Sequence, residues 1–425
     1  MTVRIPRVSV IIPTHDRVSC VMRTLRGLDA QTFPADQMEL VVVADACTDS
    51  SAASVRGHRS SFPTLVVEQK CGGPGAARNA GALHARGPLF LFLDDDVEPK
   101  PNLVQAHVQA HEGRSRIAVM GPYPPSLRGR SSFFRMAVRN WWNGVFIEMG
   151  RPGHRFRYRD LISGNLSIAS GLFEELGGFD ETVGGAHEDY ELGVRLIKAG
   201  VQFVYVPAAI GWHHEHETMT MAGSFRRAKK EGHADVIIGR LHPEVRFDLF
   251  GAFEDSEDGY YRRLRYLLFL RPWLGKALAR LAVGVLAILE GLRMRHRWRG
   301  LYGALFNYWY WRGVAEEIGS ESALSRYVEC APVKPEATEE NLVIDLTDGL
   351  QPAEARLDAE RPAGVSLRFG LQELGRIEPV RLAEPLRGAH LRPILAERFT
   401  WQTLQALAVR ETALASVRSL SSGDI

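Results

Sequence analysis

Between Val8 and Met120, short apolar and β-branched runs alternate with amphipathic stretches, and this alternation constrains the fold most. The runs are Val8–Ile12, Leu40–Ala44, Leu65–Glu68, Leu89–Leu93 and Ile117–Met120. Helical spacing fills the gaps at Val18–Gln31, Ser50–Arg59, Gly75–Ala85 and Leu103–Glu112. Strands and helices in alternation form βαβ units, whose parallel sheet must be covered by helices on both faces. The expected fold class is therefore α/β, a Rossmann-like αβα sandwich with a mainly parallel sheet. Such sheets bind ligands beyond the carboxyl ends of their strands, so the residues directly after each run are the first candidates for chemistry.

Beyond Arg128 the pattern is less regular. It predicts a strand over Leu161–Ala169, helices over Gly171–Leu176 and Glu188–Ala199, and a strand over Gln202–Val206. From Tyr260 to Trp311 the chain is aromatic, arginine-rich and helical. Arg262 to Arg312 holds eleven basic residues against one acid, Glu290. From Glu316 onward the balance reverses, with eighteen acids against twelve bases. Pro332–Glu340 reads as a charged, proline-bearing linker. After it, the alternation at Val365–Phe369 and Ile377–Leu382 and a helix over Thr400–Val417 suggest a small α+β module. The expected division is an N-terminal domain over 1–255, a basic aromatic helical section over 256–331, and a C-terminal module of unassigned role over 332–425.

Composition narrows the function classes. With 52 basic and 50 acidic residues, no global electrostatic partner is implied, and nucleic acid is not expected. The four cysteines are widely spaced with no CxxC pair, so neither a disulfide framework nor a zinc site is indicated. No leader follows Met1–Arg7, and no uncharged apolar stretch reaches the roughly 18–20 residues of a spanning helix. The expectation is a cytoplasmic protein. The apolar run Lys276–Leu292, with arginines crowding both ends and Tyr308-Trp309-Tyr310-Trp311 beyond, allows two readings. One is peripheral contact at the inner face of the membrane, and the other is burial against the N-terminal domain.

The strongest local signal is the apolar run Leu89–Leu93 followed by Asp94-Asp95-Asp96. Three consecutive carboxylates after a buried strand repel one another unless a cation is shared. Aspartate oxygens together with a diphosphate suit Mg²⁺ or Mn²⁺. The plainer reading is an acidic surface turn. A second signal is His187-Glu188-Asp189 at the start of a helix. A carboxylate there can act as a general base, although acids also compensate a helix N-terminus. Gly73-Pro74-Gly75-Ala76-Ala77-Arg78 superficially suggests a dinucleotide fingerprint. Arginine replaces its third glycine, and it follows the third strand rather than the first, so a dehydrogenase is rejected.

Six segments in order resemble glycosyltransferase family 2: VSVIIPTHDR, LVVVADACTDS, GGPGAARNAG, LFLFLDDDVEP, GLFEELGGFDE and HEDYELGVRLIKAG. The resemblance covers roughly residues 5–235 and implies a GT-A fold holding donor and acceptor sites. It also implies an inverting transfer of sugar from a nucleoside-diphosphate sugar, a UDP-sugar being favoured, to an acceptor hydroxyl on a glycan or lipid-linked molecule. By that resemblance Pro13, Thr14 and Asp16 hold the nucleoside, Asp45 bonds the base, and Arg78 lies near the nucleotide. The family has two acids where this chain has Ala44-Asp45, which leaves the base open between uracil and guanine. The DxD pattern falls on Asp94 and Asp96. Asp96 is the leading metal ligand, Asp94 assists, and Asp95 lies nearer the ribose. A further metal ligand is assigned to His213, beside His214 and His216. Asp189 is the catalytic base, supported by Glu188. Gly164-Asn165 lines the acceptor side, and Trp141 and Trp142 are either a stacking platform or core.

Competing functions differ in what they require. A processive synthase would carry a QxxRW motif, whereas this chain has only Met294-Arg-His-Arg-Trp298. A nucleotidyltransferase would need a Gly-rich triphosphate loop near the N-terminus, which IPTHDR does not supply. A degenerate domain serving as a glycan-binding or assembly module would be expected to lose metal or base carboxylates, and all are present.

Overall fold

The computed structural model describes residues 5–126, 132–214, 219–254, 259–330 and 342–409. The linker predicted at Pro332–Glu340, His216, and the end of the helix predicted over Thr400–Val417 lie outside these residues. The chain forms two compact units, one of residues 1–147 with 158–332 and the other of residues 148–157 with 333–425.

In the first unit, β1 (Val8–Thr14), α1 (Val18–Asp29), β2 (Met38–Asp45), α2 (Ser51–Gly57), β3 (Thr64–Gln69), α3 (Gly73–His84) and β4 (Leu89–Leu93) follow the predicted alternation. They are succeeded by β5 (Val97–Pro99), α4 (Leu103–Ala110), β6 (Ile117–Met120), α5 (Phe133–Met149), β7 (Asn165–Ala169), α6 (Ser170–Glu175), α7 (Glu188–Lys198), β8 (Gln202–Tyr205) and β9 (Gly211–His213). Seven strands form one sheet in the order β3-β2-β1-β4-β7-β6-β8. The sheet is mostly parallel, as expected, except that β7 runs antiparallel to both β4 and β6. Its centre is closed to water. Val10, Ile11, Ile12, Leu91, Phe92 and Leu93 are fully buried, which explains why these strands read as continuous apolar runs. Phe92 packs against Phe173 and Phe179, with ring centroids 5.1 and 5.4 Å away.

The predicted strand Leu161–Ala169 is a correction. The chain makes a 3-10 turn at Tyr158–Asp160, and the strand begins only at Asn165. Leu161 and Ile162 are buried without belonging to the ladder, so apolar content extended the pattern too far.

The helical section continues through α8 (Met221–Leu241), α9 (Arg246–Glu254), α10 (Gly259–Arg265), α11 (Pro272–Gly291), α12 (Arg295–Ile318) and α13 (Glu321–Glu329). A five-residue π-helical turn, Tyr266–Leu270, separates α10 from α11. The section was expected as a separate block over 256–331, but it falls in the first unit. One apolar cluster joins Phe225 and Val236 of α8 to Leu286 of α11 and to Trp298, Leu305 and Val314 of α12. Gly232 on α8 and Gly313 on α12 lie against the partner helix's backbone, where an added Cβ would overlap it.

The second unit has β10 (Val343–Asp345), α14 (Leu350–Glu360), β11 (Val365–Phe369), β12 (Gln372–Ile377), α15 (Gly388–Arg398) and a helix over 400–409. Its sheet order is β10-β11-β12, β10 parallel and β12 antiparallel to β11. The third strand therefore ends where the predicted Ile377–Leu382 begins. Arg155 donates to the Glu384 and Ala363 carbonyls at 2.6 and 2.9 Å, so residues 148–157, expected in the N-terminal domain, belong with this module.

Candidate active site

The Asp94–Asp96 triplet lies where β4 leaves the sheet. Because β7 is antiparallel there, Leu93 pairs with Asn165, and the Asp94 N–H donates to the Gly164 carbonyl at 3.1 Å. The Thr14 hydroxyl, at the end of β1, donates to Asp95 at 2.7 Å. Arg17, in the loop after β1, reaches Asp95 at 3.1 Å and Asp96 at 3.2 Å. His213 arrives by a different route. The short antiparallel ladder of β5 and β9 pairs Val97 with His213, and the His214 N–H donates to the Asp96 carbonyl at 2.8 Å. His213 Nε2 then stands 3.3 Å from Asp96 Oδ1. The His214 ring turns instead to Glu98, at 2.8 Å.

Burial and then the neighbouring Asp96 charge push the Asp95 carboxyl up. Burial also opposes the charge of Asp96, but His213 and Arg17 outweigh it and hold that carboxyl down. The pair is therefore a crowded, nearly buried site with one oxygen and one nitrogen donor side by side. Asp96 and His213 fit a divalent cation that keeps positions open for phosphate oxygens. Asp94 faces elsewhere and forms an ion pair with Arg78 at 2.7 Å. Among the described residues, the trio whose ligand atoms all fall within 4.8 Å is Asp16, Cys47 and Asp49. That trio is a braced loop. Asp16 accepts from Thr48 N and Asp49 N, and Asp49 from Ser51 N and Val18 N.

Arg78, on α3 and almost wholly buried, links the triplet to the start of α7. Its second guanidinium nitrogen donates to Glu188 at 2.8 Å. Next to Glu188, Asp189 accepts from Ser163 N at 3.3 Å and Tyr190 N at 3.0 Å. Burial and then the Glu188 charge raise the Asp189 carboxyl to about 6. His187 caps the helix in a left-handed conformation, φ 57°, which is costly for a residue with a Cβ and must be held by its surroundings. It stacks on Tyr190 with centroids 4.2 Å apart, and its Nδ1 lies 2.7 Å from Asp235. Tyr310 on α12 donates to the other Asp235 oxygen at 2.6 Å. Burial works against a proton on His187, but Asp235 and Glu231 prevail and raise its affinity for one.

The residues assigned to the nucleoside gather beside this site with different duties. Asp45 ends β2, but its carboxylate already accepts from Gln69 Nε2 at 3.0 Å, Gly72 N at 2.8 Å and Gly73 N at 2.9 Å. It anchors the start of α3 and has little capacity left for a base. Asp16, with φ 51°, likewise braces the loop after β2. Pro13 is half-buried in β1, and Thr14 is committed to Asp95.

Gly164, expected to line the acceptor side, is buried against the site's own side chains. A Cβ there would stand 2.7 Å from Asp94 Oδ2 and 2.8 Å from the Tyr123 ring. Asn165, expected beside it, is fully buried between His107, at 2.9 Å, and the Ala209 carbonyl, at 2.7 Å. Burial lowers His107 to about 4, so this network is neutral scaffolding. Trp142 is core, with centroids 5.1 Å from Tyr123 and 5.2 Å from His213, whereas Trp141 is 55% exposed. Sequence reasoning missed Arg17, Ser163, Asp235 and Tyr310. Only Arg17 left a signal, standing within the loop after β1.

Residues 9–176 match the family model described as glycosyl transferase family 2. Over 243 residues the chain is 29% identical to a validoxylamine A glucosyltransferase of Streptomyces hygroscopicus subsp. jinggangensis, covering 51% of this chain and 57% of that protein. It is 28% identical over 307 residues to the pre-mycofactocin glycosyltransferase of Mycobacterium tuberculosis, covering 69% and 58%. The chain thus spans under two thirds of these relatives. Among solved structures it resembles the mannosyltransferase PcManGT from Pyrobaculum calidifontis in complex with GDP-Man and Mn²⁺. There the TM-score is 0.48 and identity 20%, over 74% of this chain and 88% of that one.

Proposed function

From the match of residues 9–176 to the glycosyl transferase family 2 model, we propose that the chain moves a sugar from a nucleoside-diphosphate sugar to an acceptor hydroxyl, with inversion at the anomeric carbon. The observation that carries this reading is the convergence, beyond the carboxyl end of β4, of Asp96 and His213 with a half-buried carboxylate, Asp189, whose neighbour Glu188 is joined through Arg78 to Asp94.

Each group has a task in a direct displacement. The acceptor oxygen attacks the anomeric carbon as the bond from that carbon to the diphosphate oxygen breaks, and the electron pair leaves with the diphosphate. Asp189 takes the hydroxyl proton. Its carboxyl, raised to about 6, holds a proton more readily than an exposed aspartate yet is ionised at neutral pH. Arg78 fixes Glu188 and Asp94 in one geometry, so the base side and donor side are set by a single guanidinium. A divalent cation held by Asp96 and His213 would neutralise charge on the leaving diphosphate as a Lewis acid. A nitrogen ligand beside an aspartate favours Mn²⁺ over Mg²⁺, which takes oxygen donors.

UDP- and GDP-sugars are the donor classes to separate. Release of nucleoside diphosphate from a panel of such donors, with and without Mn²⁺, tests the reading. Metal-dependent release from one donor class supports it. No release from any donor, with the protein folded and acceptors supplied, contradicts it.

A further inference from the structure

Helix α11 has two apolar faces, and among the described residues only one of them is packed. Gly275, Ala279 and Leu286 are buried, and a Cβ on Gly275 would stand 2.7 Å from both the Leu267 carbonyl and the Tyr308 hydroxyl. Glu290, near its end, accepts from Phe133 N at 2.9 Å and is thereby spent within the fold. The opposite stripe recurs at steps of three and four residues. Leu278 is 45% exposed, Leu281 69%, Val285 44%, Ile288 61% and Leu292 65%, with Trp273 at 67% and Leu270 at 61% leading into it. This is the spacing of one helix face. The helix is long and apolar enough to cross a membrane, with mean hydropathy 1.5, yet only 17% of its apolar window is buried in the protein.

Charge indicates what covers the stripe. Arg262, Arg263 and Arg271 precede it, Arg293, Arg295, Arg297 and Arg299 follow it, and all seven are exposed. None of the seven forms an ion pair among the described residues, whereas Arg227, Lys229 and Arg240 of α8 and Arg312 near the end of α12 find Glu231, Glu316 or Glu317. A second copy of the chain would have to bury these like charges against each other. An anionic surface would neutralise them while its acyl layer received the leucines and Trp273. The inward face is committed to the α12 side, and Lys276 and Arg280 stand within the helix, so a spanning position does not fit.

We infer that α11 lies flat in the interface of an anionic lipid bilayer, its Leu281–Ile288 stripe in the acyl boundary and the flanking arginines on the headgroups. The inference rests on exposure and charge alone and stands apart from the transferase reading. The test is flotation of the full chain with vesicles of phosphatidylcholine, with and without phosphatidylglycerol. Binding should require phosphatidylglycerol and fall at least tenfold between about 0.1 and 1 M salt, as the Debye length drops from roughly 10 to 3 Å. The exposed double variant L281S/I288S and the triple variant R295E/R297E/R299E should each lose tenfold or more, with circular dichroism unchanged. Equal binding to neutral vesicles, insensitivity to salt, or wild-type binding by both variants would overturn the inference. So would a dimer in sedimentation velocity that L281S/I288S dissociates, because the stripe would then be an interface between copies.

Discussion

His213 Nε2 lies 3.3 Å from Asp96 Oδ1, although 116 residues separate them in the chain. A three-residue antiparallel ladder makes the meeting, by setting His213 opposite Val97 one residue past the triplet. The ladder is as much a part of the site as the side chains. Replacing Gly211, whose added Cβ would stand 2.6 Å from Val97 Cγ1, with Ala should move His213 away from Asp96. Mn²⁺ affinity, read by calorimetry with nucleoside diphosphate present, should drop at least tenfold while the unfolding midpoint changes little. Unchanged affinity would mean that His213 is no ligand.

Asp189→Asn keeps the size and the bonds from Ser163 and Tyr190 but cannot take a proton. Transfer should fall by roughly 10²–10⁴, the usual contribution of a positioned base, with donor affinity within a few-fold of wild type. Because burial and Glu188 raise the Asp189 carboxyl to about 6, wild-type kcat should decline with falling pH below that value and level off above it. A parallel loss of donor binding and rate would make Asp189 structural.

His187 should reveal itself in the same pH profile. Its positive charge lowers the Asp189 carboxyl against the larger upward push of burial. Removing that charge in His187→Gln must therefore move the acid limb to higher pH, while donor KM stays within a few-fold. A midpoint that does not move would confine His187 to shaping the helix start.

Arg78→Met leaves Glu188 and Asp94 without their shared cation. Breaking a buried ion pair costs about 3–5 kcal/mol, and Asp94, 31% exposed, places this pair near the lower end, about 3 kcal/mol. Arg78→Lys keeps the charge but not the fork, and should recover part of that loss in urea melts. Equal destabilisation by the two variants would show that charge is irrelevant there.

The legible parts of the fold were those encoded in local pattern. β1, β2, β4 and β6 are nearly continuous buried runs, the edge strand β3 is legible from its β-branched content although half-exposed, and their helices follow. The start of β7 was not legible, because Leu161 and Ile162 are apolar for packing rather than for pairing. At the site, the carboxylates announced themselves by clustering, and Asp96 and His213 do come together. Asp45 reads as a free acceptor in sequence and turns out to hold the Gly72–Gly73 turn, since backbone donors leave no mark on composition. Of the two residues that brace His187, Tyr310 comes from the section that the sequence sets apart over 256–331, and Asp235 from a helix that the sequence reading did not mark. The two faces of α11 share one composition, so exposure alone distinguishes them.

The central claim is that Asp96 holds the metal on which transfer depends. Its most direct measurement is the rate of nucleoside diphosphate release by wild type and Asp96→Ala across a Mn²⁺ titration, with folding verified in both. Wild type should show a saturable rise with Mn²⁺, and the variant a background rate at every concentration. A variant that still rises with Mn²⁺ as wild type does would contradict it.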